Sequence, residues 1–215
     1  MLAVLASRLD PAARDLVAAW SSAGAALLSA EDLSVEGWAF RVGDPGGGSA
    51  VIDGRRVPIA DLEAVLTRRP AVVAEELVWI DRADRAYVAA EVNAFLVAWL
   101  DAIPCPVVNR PTTTSLAGPA WGELHWAAAA ARAGVAWGRS GDGDAHDVVA
   151  CGEACIGARS SGDAAAARAL AREAGVDLLG VRFDGERACA ATPRPSLDDP
   201  EVREALLGHL LAGRP

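Results

Sequence analysis

The sequence predicts an α/β protein whose N-terminal half contains a parallel sheet and whose C-terminal half is α+β. Short, continuous apolar runs alternate with helical segments in the first half, and such runs are typical of parallel strands buried on both faces. Paired apolar runs joined by two-residue turns predict hairpins in the second half. With 215 residues, of which 52% are hydrophobic, the chain can fill a sizeable core.

The first half opens with a predicted strand over residues 2–6, all of them apolar. Asp10 and Pro11 then predict a helix to about residue 22, because Asp is a favoured N-cap and Pro fits the first helical position. A second strand is expected over residues 25–28. Further short strands are expected over residues 39–42, 50–52, 55–59 and 64–66, with an Asp53-Gly54 turn before the third of them.

A long helix from about Asp81 is expected to lead into a short strand over residues 106–108, followed by a helix over residues 119–133. Residues 137–147 are rich in Gly, Asp and Ser, which predicts a loop and the domain boundary. We therefore divide the chain into residues 1–137 and 138–215. The second part is expected to hold a hairpin over 148–156 around Gly152-Glu153, a helix over 163–174 closed by Gly175, a hairpin of 178–183 with 187–191, and a helix over 200–211.

Three arginines directly follow apolar strands: Arg8, Arg68 and Arg110. The carboxyl ends of parallel strands meet at one edge of an open sheet, where ligands bind, so we expect these guanidinium groups to form one anion site. Arginine recognises carboxylate and phosphate groups in a planar, bidentate way. Three further side chains complete the predicted substrate-binding set: Tyr87 and Glu91, which share a helix face, and Asn109. The alternative is that each arginine caps its strand and pairs with a local acid.

Composition excludes several functions. The net charge of −9 disfavours nonspecific binding to nucleic acid and to anionic membranes. No segment has the form of a signal peptide, because Arg8 and Asp10 interrupt the first apolar run, and no stretch is long enough to span a bilayer; a cytoplasmic protein is expected. The chain contains no lysine, which removes Schiff-base chemistry and the lysine clamps that hold phosphates.

The four cysteines lie in apolar contexts, and buried, reduced thiols are expected in a cytosolic protein. Cys151 and Cys155 have the spacing of half a metal site, but the other half is missing, so no metal is expected. A nucleophile made of Cys105 and His125 would need a tertiary contact that no sequence feature predicts.

Several segments resemble one enzyme family. The run Arg85-Ala-Tyr87-Val-Ala-Ala-Glu91, followed by Cys105-Pro-Val-Val-Asn109-Arg110-Pro111, resembles the pre-ATP-grasp region of ATP-grasp ligases. The nearest types are the microviridin-type peptide ligases and the ribosomal-protein glutamate ligases. Residues 164–183 resemble the family's helix leading to a Gly-Val/Ile-Asp strand, and residues 192–195 fall where the family has Asn-Pro-Ser-Pro. The resemblance implies a pre-ATP-grasp-like first half and an ATP-grasp-like second half.

The chain also departs from the family. The Glu-x-Asn motif that holds magnesium in the family falls on Ala190 and Thr192, and no lysine can clamp ATP. The segment expected to carry the nucleotide-covering subdomain is reduced to residues 137–147. These departures predict a truncated, degenerate ATP-grasp-like half that uses no cofactor.

The resemblance therefore implies a non-catalytic pseudo-ligase in natural-product or modified-peptide biosynthesis. Its expected partner is a peptide, a small carboxylate or phosphate ligand, or a partner enzyme. Two alternatives stay open. One is an active enzyme, either a carboxylate-amine ligase or an ATP-independent catalyst that uses the arginine-lined cleft. The other is a structural homodimer or scaffold, because pre-ATP-grasp regions of relatives mediate dimer contacts.

Overall fold

The computed structural model describes residues 1–139, 141 and 145–213. The chain divides into two compact units, residues 1–118 together with the stretch from Leu210 onward, and residues 119–209. The boundary at residues 137/138 stays a prediction. Among the described residues, no helix has the length and apolar character needed to cross a membrane.

A four-stranded parallel sheet lies at the centre of the first unit. The strands of this unit are β1 (Leu2–Leu5), β2 (Ala25–Leu28), β3 (Ser49–Ile52), β4 (Arg55–Pro58), β5 (Ala64–Thr67) and β6 (Val107–Val108). The parallel sheet has the order β2-β1-β5-β6, and β3 and β4 form a separate antiparallel hairpin. β1 and β5 are completely buried, which explains their unbroken apolar sequences. The predicted parallel sheet is confirmed.

Two helices belong to this unit. Asp10 caps α1 (Pro11–Ala19), because its carboxylate accepts hydrogen bonds from the amides of residues 12 and 13. α2 (Arg85–Ala102) buries Leu96, Trp99 and Leu100 in the same core as β1 and β5. The ring of Trp38 packs edge-on against Trp99, with 5.4 Å between the ring centroids.

The second unit is built on a four-stranded antiparallel sheet. Its strands are β7 (Ala145–Cys151), β8 (Ala154–Ile156), β9 (Leu178–Asp184) and β10 (Arg187–Thr192), in the order β10-β9-β7-β8. Its helices are α3 (Glu123–Ala133), α4 (Ser161–Ala174) and α5 (Pro200–Ala212). Gly152-Glu153 forms the predicted turn between β7 and β8, and Gly175 ends α4 with a left-handed conformation.

The two faces of this sheet differ. Alternate residues of β9, namely Leu179, Val181 and Phe183, belong to a buried core together with Leu170 of α4 and Trp126 of α3. The alternation leaves the intervening residues of β9 on the opposite face, which contains a cleft described below.

Four predicted segments differ from the structure. The strand over residues 39–42 is wrong: Ala39 makes one isolated bridge to Ser49, and Val42 is 94% exposed, so Phe40 packs against the core from a segment that is not part of a sheet. The helix predicted from Asp81 begins at Arg85, because the Asp81 carboxylate and carbonyl accept bonds from residues 83 and 84 and close a turn.

The helix predicted from residue 119 begins at Glu123, after an extended Gly122. The predicted loop over residues 137–147 is shorter than expected, since β7 already begins at Ala145. Residues 140 and 142–144 of that loop lie outside the described residues.

Candidate functional site

The carboxyl edge of the parallel sheet brings the predicted arginine positions together along the backbone. Leu5 of β1 pairs with Thr67 of β5, and Leu66 pairs with Val108 of β6. Residue 68 directly follows β5, residue 110 lies two positions after β6 and residue 8 lies three positions after β1, so all three come after strand ends at the same edge of the sheet.

The side chain of Arg8 is held by its neighbours at this edge. Its Nε donates to Ser29 Oγ at 3.1 Å and lies 3.4 Å from a carboxylate oxygen of Glu31. Ser29 is itself buried and bonded to the carboxylate of Asp32 through both its amide and its hydroxyl. The contact with Glu31 matches the alternative interpretation, in which an arginine pairs with a local acid.

Arg110 contacts the end of α2. Its Nη1 donates to the carbonyls of Leu100 and Asp101, each at 3.1 Å, and a cation at a helix C-terminus is favourable. Asn109, beside it, is 2% exposed, and its carbonyl accepts a hydrogen bond from the hydroxyl of Thr67 at 3.1 Å. Both residues therefore fix the chain where it leaves β6.

The remaining predicted residues lie on the same unit. The backbone amide of Arg68 donates to Leu5 at 2.9 Å, which continues the ladder between β5 and β1. Tyr87 is 68% exposed on the first turn of α2, and Glu91 is exposed one turn later. A shared anion site made by these six residues stays a prediction.

A buried ion pair at this edge was not predicted from the sequence. Arg69 is 6% exposed; it donates through Nη2 to the carboxylate of Glu76 and through Nε to the carbonyl of Ala71 at 2.9 Å. Glu76 also accepts hydrogen bonds from the hydroxyl of Ser7 and from the amide of Val73. Burial alone would raise the pKa of Glu76, but these hydrogen bonds and the charge of Arg69 outweigh it and lower the pKa below its ordinary value.

The second unit contains a cleft of about 510 Å³ on the open face of its sheet. The floor of the cleft is formed by residues that lie beside one another on the paired strands. In one row Ala190 of β10, Arg182 of β9 and Asp147 of β7 lie side by side. The next row consists of Thr192, Gly180, Val149 and Ile156. Sequence reasoning missed this cleft, although the alternation of Gly180 and Arg182 with large apolar residues indicated a second, exposed face of β9.

The loop after β10 borders the cleft. Pro195 lies over Gly180 so closely that a Cβ on this glycine would come within 2.9 Å of the proline Cβ. Further along, Asp198 and Asp199 line the cleft with Val202 of α5. Arg182 also lines an adjoining cavity of about 380 Å³ on the same sheet, together with Arg139 and Cys189.

The cysteines are free thiols. Cys105 and Cys151 are buried, whereas Cys155 and Cys189 are partly exposed. Burial raises the pKa of Cys105 to about 11 and that of Cys151 to about 12, so both thiols stay protonated at neutral pH.

Comparison with known proteins gives matches at the level of structure alone. No protein-family model matches the chain, and no curated protein matches it. Macrocyclase MdnC from Microcystis aeruginosa, solved with precursor peptide MdnA, superimposes with a TM-score of 0.70 and 10% identity over 98% of this chain and 99% of that chain. ATP-grasp ligase PsnB, complexed with a phosphomimetic variant of its minimal precursor, Mg and ADP, gives 0.68 and 14% over 97% and 98%.

A third structure, a RiPP-associated ATP-grasp ligase from Chryseobacterium gregarium in complex with ADP and a leader and core peptide, gives a TM-score of 0.64. It is 9% identical over 100% of this chain and 97% of that chain. The chain thus has an ATP-grasp-like fold, as its sequence predicted.

Proposed function

We propose that this protein is a non-catalytic relative of peptide-modifying ATP-grasp ligases and that it binds a peptide in a modified-peptide pathway. The observation that carries this proposal is the floor of the second-unit cleft, where Ala190 and Thr192 occupy the positions at which the family resemblance expects a carboxylate and an amide metal ligand.

The residues present do not fit a magnesium-bound nucleotide. Magnesium prefers carboxylate oxygens in octahedral geometry, and alanine offers no ligand. The hydroxyl of Thr192 already accepts a hydrogen bond from the amide of Arg194 at 3.2 Å. The absence of lysine from the sequence removes the usual clamp on the nucleotide phosphates.

The carboxylates that line the cleft do not replace these ligands well. Asp199 accepts from the amide of Glu201 at 2.8 Å and holds the start of α5, while Asp198 accepts from the hydroxyl of Ser196 at 2.6 Å. Asp147 lies 3.6 Å from the guanidinium of Arg182. A cation entering here would meet a positive charge in the middle of the floor.

Peptide binding is supported by the solved structures with this fold. MdnC, PsnB and the Chryseobacterium ligase are each described in complex with a precursor, leader or core peptide. At these identities the likeness extends to fold alone, so peptide binding by the present chain belongs to the proposal. An active ligase and a structural homodimer stay as alternatives, and the exposed Val78 and Trp79 on the first unit favour a protein contact of some kind.

Calorimetric titration with Mg-ATP tests the non-catalytic part of the proposal. We expect no binding that depends on magnesium and no ADP release. The matched variant carries Ala190→Glu and Thr192→Asn, which restores the two oxygen ligands. Magnesium-dependent ATP binding by this variant alone would show that these two positions account for the missing Mg-ATP binding of the natural sequence. A dissociation constant in the low micromolar range for the natural sequence, or ADP release by it, would refute the proposal.

A further inference from the structure

The cleft floor presents a positive charge where a cation-binding site would present a negative one. We propose that this cleft binds an oxyanion, a carboxylate or a phosphate group, directly through Arg182 and Arg194 and without a divalent cation. This rests on the proposed function in one respect, namely that no metal-bound nucleotide occupies the cleft.

Arg182 occupies the central position of the floor. It lies on β9 between Ala190 and Asp147, so its only charged neighbour in that row is Asp147. Their side chains are 53% and 67% exposed and 3.6 Å apart, and an ion pair of this kind contributes little in water. A ligand oxyanion can therefore compete for the guanidinium, which offers a planar pair of donors.

Arg194 brings a second positive charge to the border of the cleft. Within the described part of the chain its guanidinium makes no hydrogen bond or ion pair. Its backbone amide, by contrast, is bonded to Thr192, which fixes the loop that carries it. An exposed arginine on a fixed loop beside a cavity is suited to charge-assisted contact with a ligand.

Two of the three acidic residues that line the cleft bond to other groups, and the third, Asp147, is the exposed partner of Arg182. The carboxylate of Asp199 caps α5, where the positive end of the helix dipole offsets its charge, and Asp198 is bonded to Ser196. The two arginines are thus the groups left to meet a ligand. The small side chain of Ala190, next to Arg182 in the same row, leaves space beside the guanidinium.

The apolar residues that line the cleft indicate the chemistry of the rest of the ligand. They are Val149, Ile156, Pro195 and Val202. Its volume of about 510 Å³ lies within the range of about 300–1,000 Å³ found for small-molecule sites. A ligand with one oxyanion group and an apolar body matches this cleft.

Titration in the presence of EDTA tests the proposal, with three probes: inorganic phosphate, ADP and succinate. We expect saturable binding of at least one probe, measured by calorimetry and thermal shift. Tighter binding of ADP or phosphate would identify a phosphate ligand, and tighter binding of succinate a carboxylate. Loss of a charge-assisted hydrogen bond predicts that Arg182→Gln and Arg194→Gln each weaken binding by about tenfold or more.

Arg172→Gln is the matched control, because Arg172 is an exposed arginine of the same unit, at the end of α4, that does not line the cleft. We expect it to leave binding within about twofold. The proposal is overturned if no probe binds the natural sequence, if the control weakens binding as much as the cleft variants, or if binding requires added magnesium. The first two outcomes leave the proposed function standing, whereas tight, magnesium-dependent ATP binding contradicts both.

Discussion

Removing Glu76 is expected to destabilise the first unit much more than removing an exposed acid. The substitution Glu76→Ala removes the carboxylate partner of the Arg69 guanidinium, which is 6% exposed and still donates to the carbonyl of Ala71. An uncompensated buried charge costs about 3–5 kcal/mol, and because the Glu76 side chain is 18% exposed we expect the lower end, about 3 kcal/mol. The amide of Val73 also loses its acceptor.

The double variant Arg69→Met with Glu76→Leu removes both charges but keeps side chains of similar size. It therefore separates the electrostatic effect of the substitution from the effect of lost packing. Replacing a buried ion pair by apolar side chains of similar size is often neutral, so the double variant should be more stable than Glu76→Ala alone. Glu31→Ala breaks the exposed pair with Arg8, which lies in the same unit, and serves as the control, at about 0–1 kcal/mol. Native-state hydrogen exchange at the amides of β1 and β5 measures the free energy of unfolding of this unit.

The effect should also depend on pH. Because the folded-state pKa of Glu76 is lowered, its contribution is fully present above its unfolded value of about 4.5 and is lost as the pH falls through the folded value. The difference between the natural sequence and Glu76→Ala should therefore shrink below about pH 4.5. A cost below about 1 kcal/mol at neutral pH, or a double variant less stable than the single one, would refute this reasoning.

Two further outcomes are expected. Gly180→Ala should push Pro195 away from the sheet and cost about 1–3 kcal/mol in urea unfolding of the second unit, whereas Gly208→Ala, in α5 with open space around it, should be neutral or slightly stabilising; equal costs would contradict the close approach. Iodoacetamide at pH 8 should label the partly exposed Cys189 before Cys105 and Cys151, whose pKa values burial raises to about 11 and 12, and peptide mass spectrometry that finds equal labelling would count against their burial.

Local sequence signals predicted the regular elements well. β1 and β5 were recognisable because strands buried on both faces have continuous apolar sequences, and the hairpin of β7 and β8 because Gly152 suits a two-residue turn. The strand over residues 39–42 was predicted because three of its four residues, all but Arg41, are apolar, but apolar character does not reveal whether a partner strand is available.

The sites were harder to predict, because their geometry depends on contacts between distant residues. The parallel register brings the positions of Arg8, Arg68 and Arg110 to one edge, but backbone position does not determine which partner a flexible guanidinium contacts. Arg110 donates to carbonyls at the end of α2, a contact that requires the helix and the strand to be packed first.

Residues that are adjacent in sequence can also differ in burial. Arg69 and Arg68 are adjacent in sequence, but Arg69 is the buried one, and it pairs with Glu76 at the end of the short 3-10 helix Ala74–Glu76. The second-unit cleft was overlooked for a different reason. Ala190 and Thr192 were read as lost metal ligands, whereas the charge beside them, Arg182, lies on a neighbouring strand.

The central place of β1 in the parallel sheet has a consequence for how the first unit forms. Among the strands of this sheet β1 comes first in the sequence, but Leu2 pairs with Ala25 on one side and with Ala64 on the other, and β6, the last in sequence, pairs with β5. Strand pairs between residues so far apart in sequence form slowly, since the intervening chain must lose conformational entropy before the pairing contributes any stabilising contact. During synthesis, one edge of the apolar β1 therefore stays unpaired until β5 has emerged. In that interval, chaperones can bind this edge and non-native strands can pair with it.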